Sequence, residues 1–92
     1  MNEIKIIINK EEELEFLFQL RDVVEEIGYR ILDFTNFQEN TYLITRWDSV
    51  YGKVEFIRLV NKKTEVRIEI VNNSLYNYLL KALKGAKTPL KK

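Results

Sequence analysis

The sequence predicts an α+β domain with the element order β-α-β-β-β-β-α, an antiparallel sheet carrying two helices on one face. Three features predict it. Apolar residues recur at helical spacing in two stretches, one near each end of the chain. Between them, from Tyr29 to Asn72, the apolar period drops to two. The breaks inside that region hold asparagine, glycine and charged residues of the kind that turn a chain back on itself. Ninety-two residues are enough for a single modest core. We expect one domain over 1–86 and a short basic tail over 87–92.

Taken in order, residues 3–8 (EIKIII) read as a strand, with three consecutive isoleucines typical of a β-branched buried run. Asn9 opens a helix. Glu12, three residues on, has the capping-box spacing, and acids at 11, 12 and 13 suit the positive end of the helix dipole. The helix is predicted over 10–27. Its apolar residues Phe16, Leu17, Leu20, Val23, Val24 and Ile27 fall in a stripe about 120° wide, and Gly28 is the natural left-handed stop.

Strands are predicted at 29–35, 41–47, 53–60 and 65–71. Hairpin turns at 36–40 (NFQEN) and 61–64 (NKKT) and a longer connection at 48–52 (DSVYG) join them. The last strand has the cleanest pattern: Val66, Ile68 and Ile70 alternate with Glu65, Arg67 and Glu69, so one face is core and the other meets water or a partner. Asn73 or Ser74 is predicted to cap a second helix whose apolar side is Leu75, Tyr76, Leu79, Leu80, Leu83 and Ala86. Gly85 sits near its end and Pro89 prevents continuation. This element order resembles one repeat of the TATA-binding-protein-like architecture, and that resemblance implies nucleic acid as one class of partner.

Composition removes whole classes of chemistry. The chain has no cysteine and no histidine. A disulfide framework, a thiolate nucleophile, the commonest general base and the commonest metal ligand are therefore all missing. No GxxxxGK[ST] or GxGxxG motif is present. Glu11, Glu12, Glu13 and Glu15 crowd the first turns of a helix, where they point around it instead of converging on a cation. Asp33, Glu39 and Asp48 read as turn-forming or solvated acids. The expectation is a non-catalytic protein without cofactor, metal or small-molecule substrate. The N-terminal stretch lacks the basic start and long apolar run of a signal peptide, and nothing reaches the length of a membrane span, so a soluble cytoplasmic protein with no membrane partner is expected.

Charge is split along the chain. Residues 1–40 carry ten acids and four bases, net −6, and residues 41–92 carry four acids and eleven bases, net +7. Such asymmetry orients a molecule toward an anionic partner or lets unlike surfaces of two copies meet.

Two binding readings follow. In the first, the middle strands are apolar on both faces while helices cover one, so an uncovered sheet face joins a second copy or a larger assembly; Ile57, Leu59, Phe34 and Phe18 are its expected apolar contacts. In the second, the chain is a nucleic-acid-associated accessory protein. Lysines neutralise phosphates and exposed aromatics stack bases, and the residues for it are Arg46, Trp47, Lys62, Lys63, Lys81, Lys84, Lys87, Lys91 and Lys92.

Overall fold

A computed structural model describes residues 2–33 and 40–84. Residues 36–39 of the predicted NFQEN turn, Phe34 and the tail with Lys87, Lys91 and Lys92 lie outside the described residues, as do the side chains of Asp33 and Lys84. The elements are β1 (Asn2–Asn9), α1 (Glu13–Glu26), β2 (Arg30–Asp33), β3 (Thr41–Arg46), β4 (Ser49–Arg58), β5 (Lys63–Ile70) and α2 (Asn73–Lys84), in the predicted order. Their strands form one sheet, β1-β5-β4-β3-β2, with every neighbouring pair antiparallel. Strands β2 to β5 are a meander. α1 carries the chain from β1 at one edge to β2 at the other, which leaves β1 to pair with the last strand.

Side-chain parity decides the faces. Even-numbered residues of β1 (Ile4, Ile6, Ile8), β5 (Val66, Ile68, Ile70) and β4 (Val54, Phe56) are buried. With Ile44 of β3 they share one cluster with Phe16, Leu20 and Val24 of α1 and Leu75, Leu79 and Leu83 of α2. Both helices therefore pack on the even face, as the two apolar stripes require. Burying each such side chain contributes about 1.5–3 kcal/mol over leaving it in water. Phe16 meets Phe56 edge-on with ring centroids 6.3 Å apart, and the Tyr78 hydroxyl on α2 donates to Glu26 Oε1 on α1 at 3.1 Å, tying the helices together.

Local chemistry sets the boundaries. The Glu12 carboxylate accepts the Asn9 N–H at 2.8 Å, and residues Lys10–Glu12 form a 3-10 turn that leads into α1. Gly28 takes φ +90, and the N–H groups of Gly28 and Tyr29 donate to the carbonyls of Glu25 and Val24, closing the helix end. At α2 the expected cap is corrected by one residue: the Asn72 side-chain oxygen accepts the Leu75 N–H at 2.9 Å, so Asn72 takes the role expected of Asn73 or Ser74.

The larger correction is at the third hairpin. No long connection spans 48–52: Arg46 pairs with Ser49, leaving a two-residue turn, Trp47–Asp48, and β4 begins at Ser49. Trp47 supplies the positive φ, +55, that such a turn needs at its first position. The register then slips by one, Ile44 opposite Gly52 and Thr45 opposite Val50. Tyr51 is the extra residue, its ring 5.2 Å from that of Tyr29. Gly52 belongs to the sheet because a Cβ there would stand 2.7 Å from the Glu69 carbonyl oxygen and 3.0 Å from Ile70.

Candidate functional site

Odd-numbered residues of β1, β5, β3 and the body of β4 form the uncovered face; on β2 and at the start of β4, ahead of the bulge, the even-numbered Leu32 and Val50 do. Across β1, β5 and β4 the face is a ladder of charge: Glu3, Lys5, Glu65, Arg67, Glu69, Lys53 and Glu55. Ion pairs knit it together, Arg67 to Glu65 at 3.1 Å and to Glu3 at 3.7 Å, Lys53 to Glu55 at 3.7 Å and to Glu69 at 4.0 Å, and Lys5 to Glu3 at 3.9 Å. Arg67 and Lys53 are each held between two carboxylates and Lys5 lies beside one, and with four acids to three bases this centre offers no attraction to a polyanion.

Beyond the ladder the face turns apolar. Leu32 on β2 lies opposite Leu43 on β3. Leu43, Val50 and Val71, with Gly52, Lys53 and Glu69, line a shallow hollow of about 220 Å³. The Val71 N–H donates to the Tyr51 carbonyl at 3.0 Å, which carries β5 one residue past its last rung and sets Val71 beside the start of β4. Val50 is 55% exposed, Val71 64% and Leu32 49%. Four segments thus bring apolar side chains to one end of a face that is charged elsewhere.

The same end carries the Trp47 turn. Trp47 is 82% exposed, and the Arg46 guanidinium lies 4.6 Å from its ring centre and 5.1 Å from that of Tyr29. The guanidinium lies beside Gly28, at the helix end: a Cβ on Gly28 would be in ordinary contact with Arg46 Nε at 3.8 Å. Arg46 therefore places a cation at the negative end of α1, which has no basic residue in its own last turn.

At the opposite end, α1 is clamped to the sheet. Glu13 accepts from Arg58 Nη2 at 2.9 Å and Nε at 3.2 Å, and the buried Thr64 hydroxyl donates to the same carboxylate. Burial alone would raise the Glu13 pKa, but the hydrogen bonds from Arg58 and Thr64, with the charges of Arg58 and Lys10, outweigh it and hold the carboxyl below its ordinary value. Beside this clamp a cleft of about 580 Å³ opens between α1 and β3–β4, walled by Leu14, Leu17, Tyr42 and Phe56 and rimmed by Lys10, Glu11, Glu13, Asn40, Arg58 and Lys62.

The residues expected to form an interface are not brought together. Ile57 is on the uncovered face, half-buried, and shares Glu65 as a neighbour with Ile7 on the other side of β5. Leu59 sits past the end of β4, its N–H bonded to the Lys63 carbonyl. Phe18 is in the helix layer, under the Arg21 guanidinium at 4.9 Å.

The basic set divides too. Arg46 and Trp47 precede β4 and Lys62 and Lys63 follow it, so about 30 Å of strand separates them. Lys63 donates to Asn9 Oδ1 at 2.7 Å, and Lys81 is exposed on α2. The first-turn acids do not converge: Glu12 is spent on Asn9, Glu13 on Arg58 and Thr64. No group of three or more metal-ligating side chains occurs among the described residues.

Val50 was hidden from sequence by the Trp47 turn, and Leu43 and Val71, inside predicted strands, by the strand order that brings them together. With 48–52 read as a loop, Val50 has no face, and Val71 lies at a strand end. Among the described residues no helix is long and apolar enough to cross a membrane. The chain matches no protein family, no curated protein and no solved structure, so the functional reading rests on these surfaces.

Proposed function

We propose that this chain is a non-catalytic binding module whose working surface is the apolar end of the uncovered sheet face, and that its partner there is a second copy of the chain. The observation that carries the reading is the convergence of Leu32, Leu43, Val50 and Val71, from four segments, at one end of a face whose centre is held by its own ion pairs. Apolar patches left on a charged surface mark interfaces. The charges select the partner. Lys53 and Glu69 sit side by side on the rim of the hollow, so a two-fold contact sets each cation against the other copy's carboxylate, a self-complementary arrangement that a closed dimer requires. Burying the whole ladder would desolvate seven charges at once, which confines the contact to the end of the face.

A non-catalytic role fits the site chemistry. The perturbed carboxylate, Glu13, is ionised and fully engaged by Arg58 and Thr64, which leaves it neither a proton to give nor a free lone pair facing a substrate.

The test is sedimentation velocity over a range of concentrations for the wild type and Val50→Glu. The expected result is a sedimentation coefficient that rises with concentration in the wild type and stays at the monomer value in the variant, with an unchanged thermal midpoint because Val50 is more than half exposed. A wild type that remains monomeric to millimolar concentration overturns the reading.

A further inference from the structure

The cleft at the Glu13 end is a separate opportunity, on the helix-covered side of the sheet. Its volume of about 580 Å³ lies inside the range of small-molecule sites, roughly 300–1,000 Å³. Its walls are apolar, two leucines from α1 facing Tyr42 and Phe56 from the sheet. Leu14 is 62% exposed there, a large aliphatic side chain on the first turn of a helix whose core stripe lies elsewhere.

The rim is the second observation. Glu13, the acid nearest the apolar wall, is spent on Arg58 and Thr64. Lys62 reaches the rim from the β4–β5 turn, and no side chain pairs with it among the described residues. It does so at φ +58, next to Asn61 at φ +63. Consecutive positive φ values are what a type I′ hairpin turn requires, and the turn accounts for them. Lys10 lines the same cleft.

We infer that this cleft takes a small amphiphilic monoanion, a molecule with an apolar acyl or aromatic body that lies between Leu14, Leu17, Tyr42 and Phe56 and a single carboxylate that meets Lys62 and Lys10 at the rim. Glu11 on the same rim disfavours a multiply charged head group, and the apolar walls disfavour a sugar or a nucleotide. The site shares no residue with the self-association surface, so the two readings stand or fall separately.

The experiment is isothermal titration of the full chain with decanoate and, as the uncharged counterpart, decanol, for the wild type, Leu14→Glu, Lys62→Glu and Lys62→Gly. The expected result is one saturable decanoate site, lost in Leu14→Glu and weakened about fivefold to tenfold in Lys62→Glu, a reversed rim charge. Decanol binding is expected to be weaker and indifferent to residue 62. Lys62→Gly separates function from fold: it frees the backbone at φ +58, so its thermal midpoint is expected to stay level or rise while decanoate affinity falls. No saturable binding of decanoate, or binding unchanged by Leu14→Glu, overturns the site. Equal affinity for decanoate and decanol, or affinity unmoved by both Lys62 variants, overturns the anion and leaves a plain apolar hollow.

Discussion

The two faces of this sheet are built from the same alternation and serve opposite ends. Under the helices, β1, β5 and β4 present Ile4, Ile6, Ile8, Val66, Ile68, Ile70, Val54 and Phe56 to one closed core. On the other side the same three strands present Glu3, Lys5, Glu65, Arg67, Glu69, Lys53 and Glu55, each answered by a neighbour of opposite sign. The difference is the ground for where we propose that recognition is placed. Fold stability resides on the covered face, the centre of the open face is occupied by its own ion pairs, and apolar side chains flank them: Ile7 and Ile57 on either side of Glu65, and Leu32, Leu43, Val50 and Val71 at the margin formed by β2, β3 and the ends of β4 and β5.

The sharpest break of this comparison is a cavity on the covered face. Ile68→Ala, at a fully buried position on β5, an interior strand flanked by β1 and β4, is expected to cost about 2–5 kcal/mol in chemical denaturation. Gly52→Ala tests the seam between β4 and β5: its Cβ must displace the Glu69 backbone carbonyl, and a loss of about 1–3 kcal/mol is expected.

Next comes the clamp at the edge of the covered face. Glu13→Gln should lose about 1–3 kcal/mol, the range for hydrogen bonds to a charged group, and should also flatten the acid limb of the stability curve. The sign follows from linkage: the folded pKa of Glu13 lies below its unfolded value, so the contribution is complete above the ordinary value of 4.5 and is lost as pH falls through the lower folded value. Urea titrations of both proteins between neutral pH and the acid limb check it. An unchanged acid slope in the variant would mean that the Arg58 clamp does not persist in solution.

The smallest effect is expected on the open face. Lys53→Ala removes ion pairs to Glu55 and Glu69 that are partly exposed, and its cost should not exceed about 1 kcal/mol. A loss as large as that of Ile68→Ala would erase the distinction between the faces.

Much of the fold was legible because binary pattern and punctuation agree. Gly28 stops α1 with φ +90 where the apolar stripe ends, and Glu12 closes onto Asn9 as its spacing implied. The alternation of β5 names its buried residues directly. What escaped was tied to one turn. Tryptophan is not a residue from which a left-handed turn is read, so the Trp47–Asp48 turn went unseen, and with it the bulge at Tyr51 and the face on which Val50 stands. The proposed binding surface was legible only as parity within each strand: Ile57 faces away from the helices as expected, but sequence carries no information on which positions of distant strands meet, and Leu32, Leu43 and Val71 come together only through the strand order.

The most direct test of the central claim is an NMR experiment on an equimolar mixture of isotope-labelled and unlabelled chain at high concentration, filtered to show contacts between copies alone. The account predicts intermolecular contacts from the methyl groups of Leu32, Leu43, Val50 and Val71, with none from Ile4, Ile6 or Ile68. Intermolecular contacts absent throughout, or confined to the free edge of β1, would contradict it.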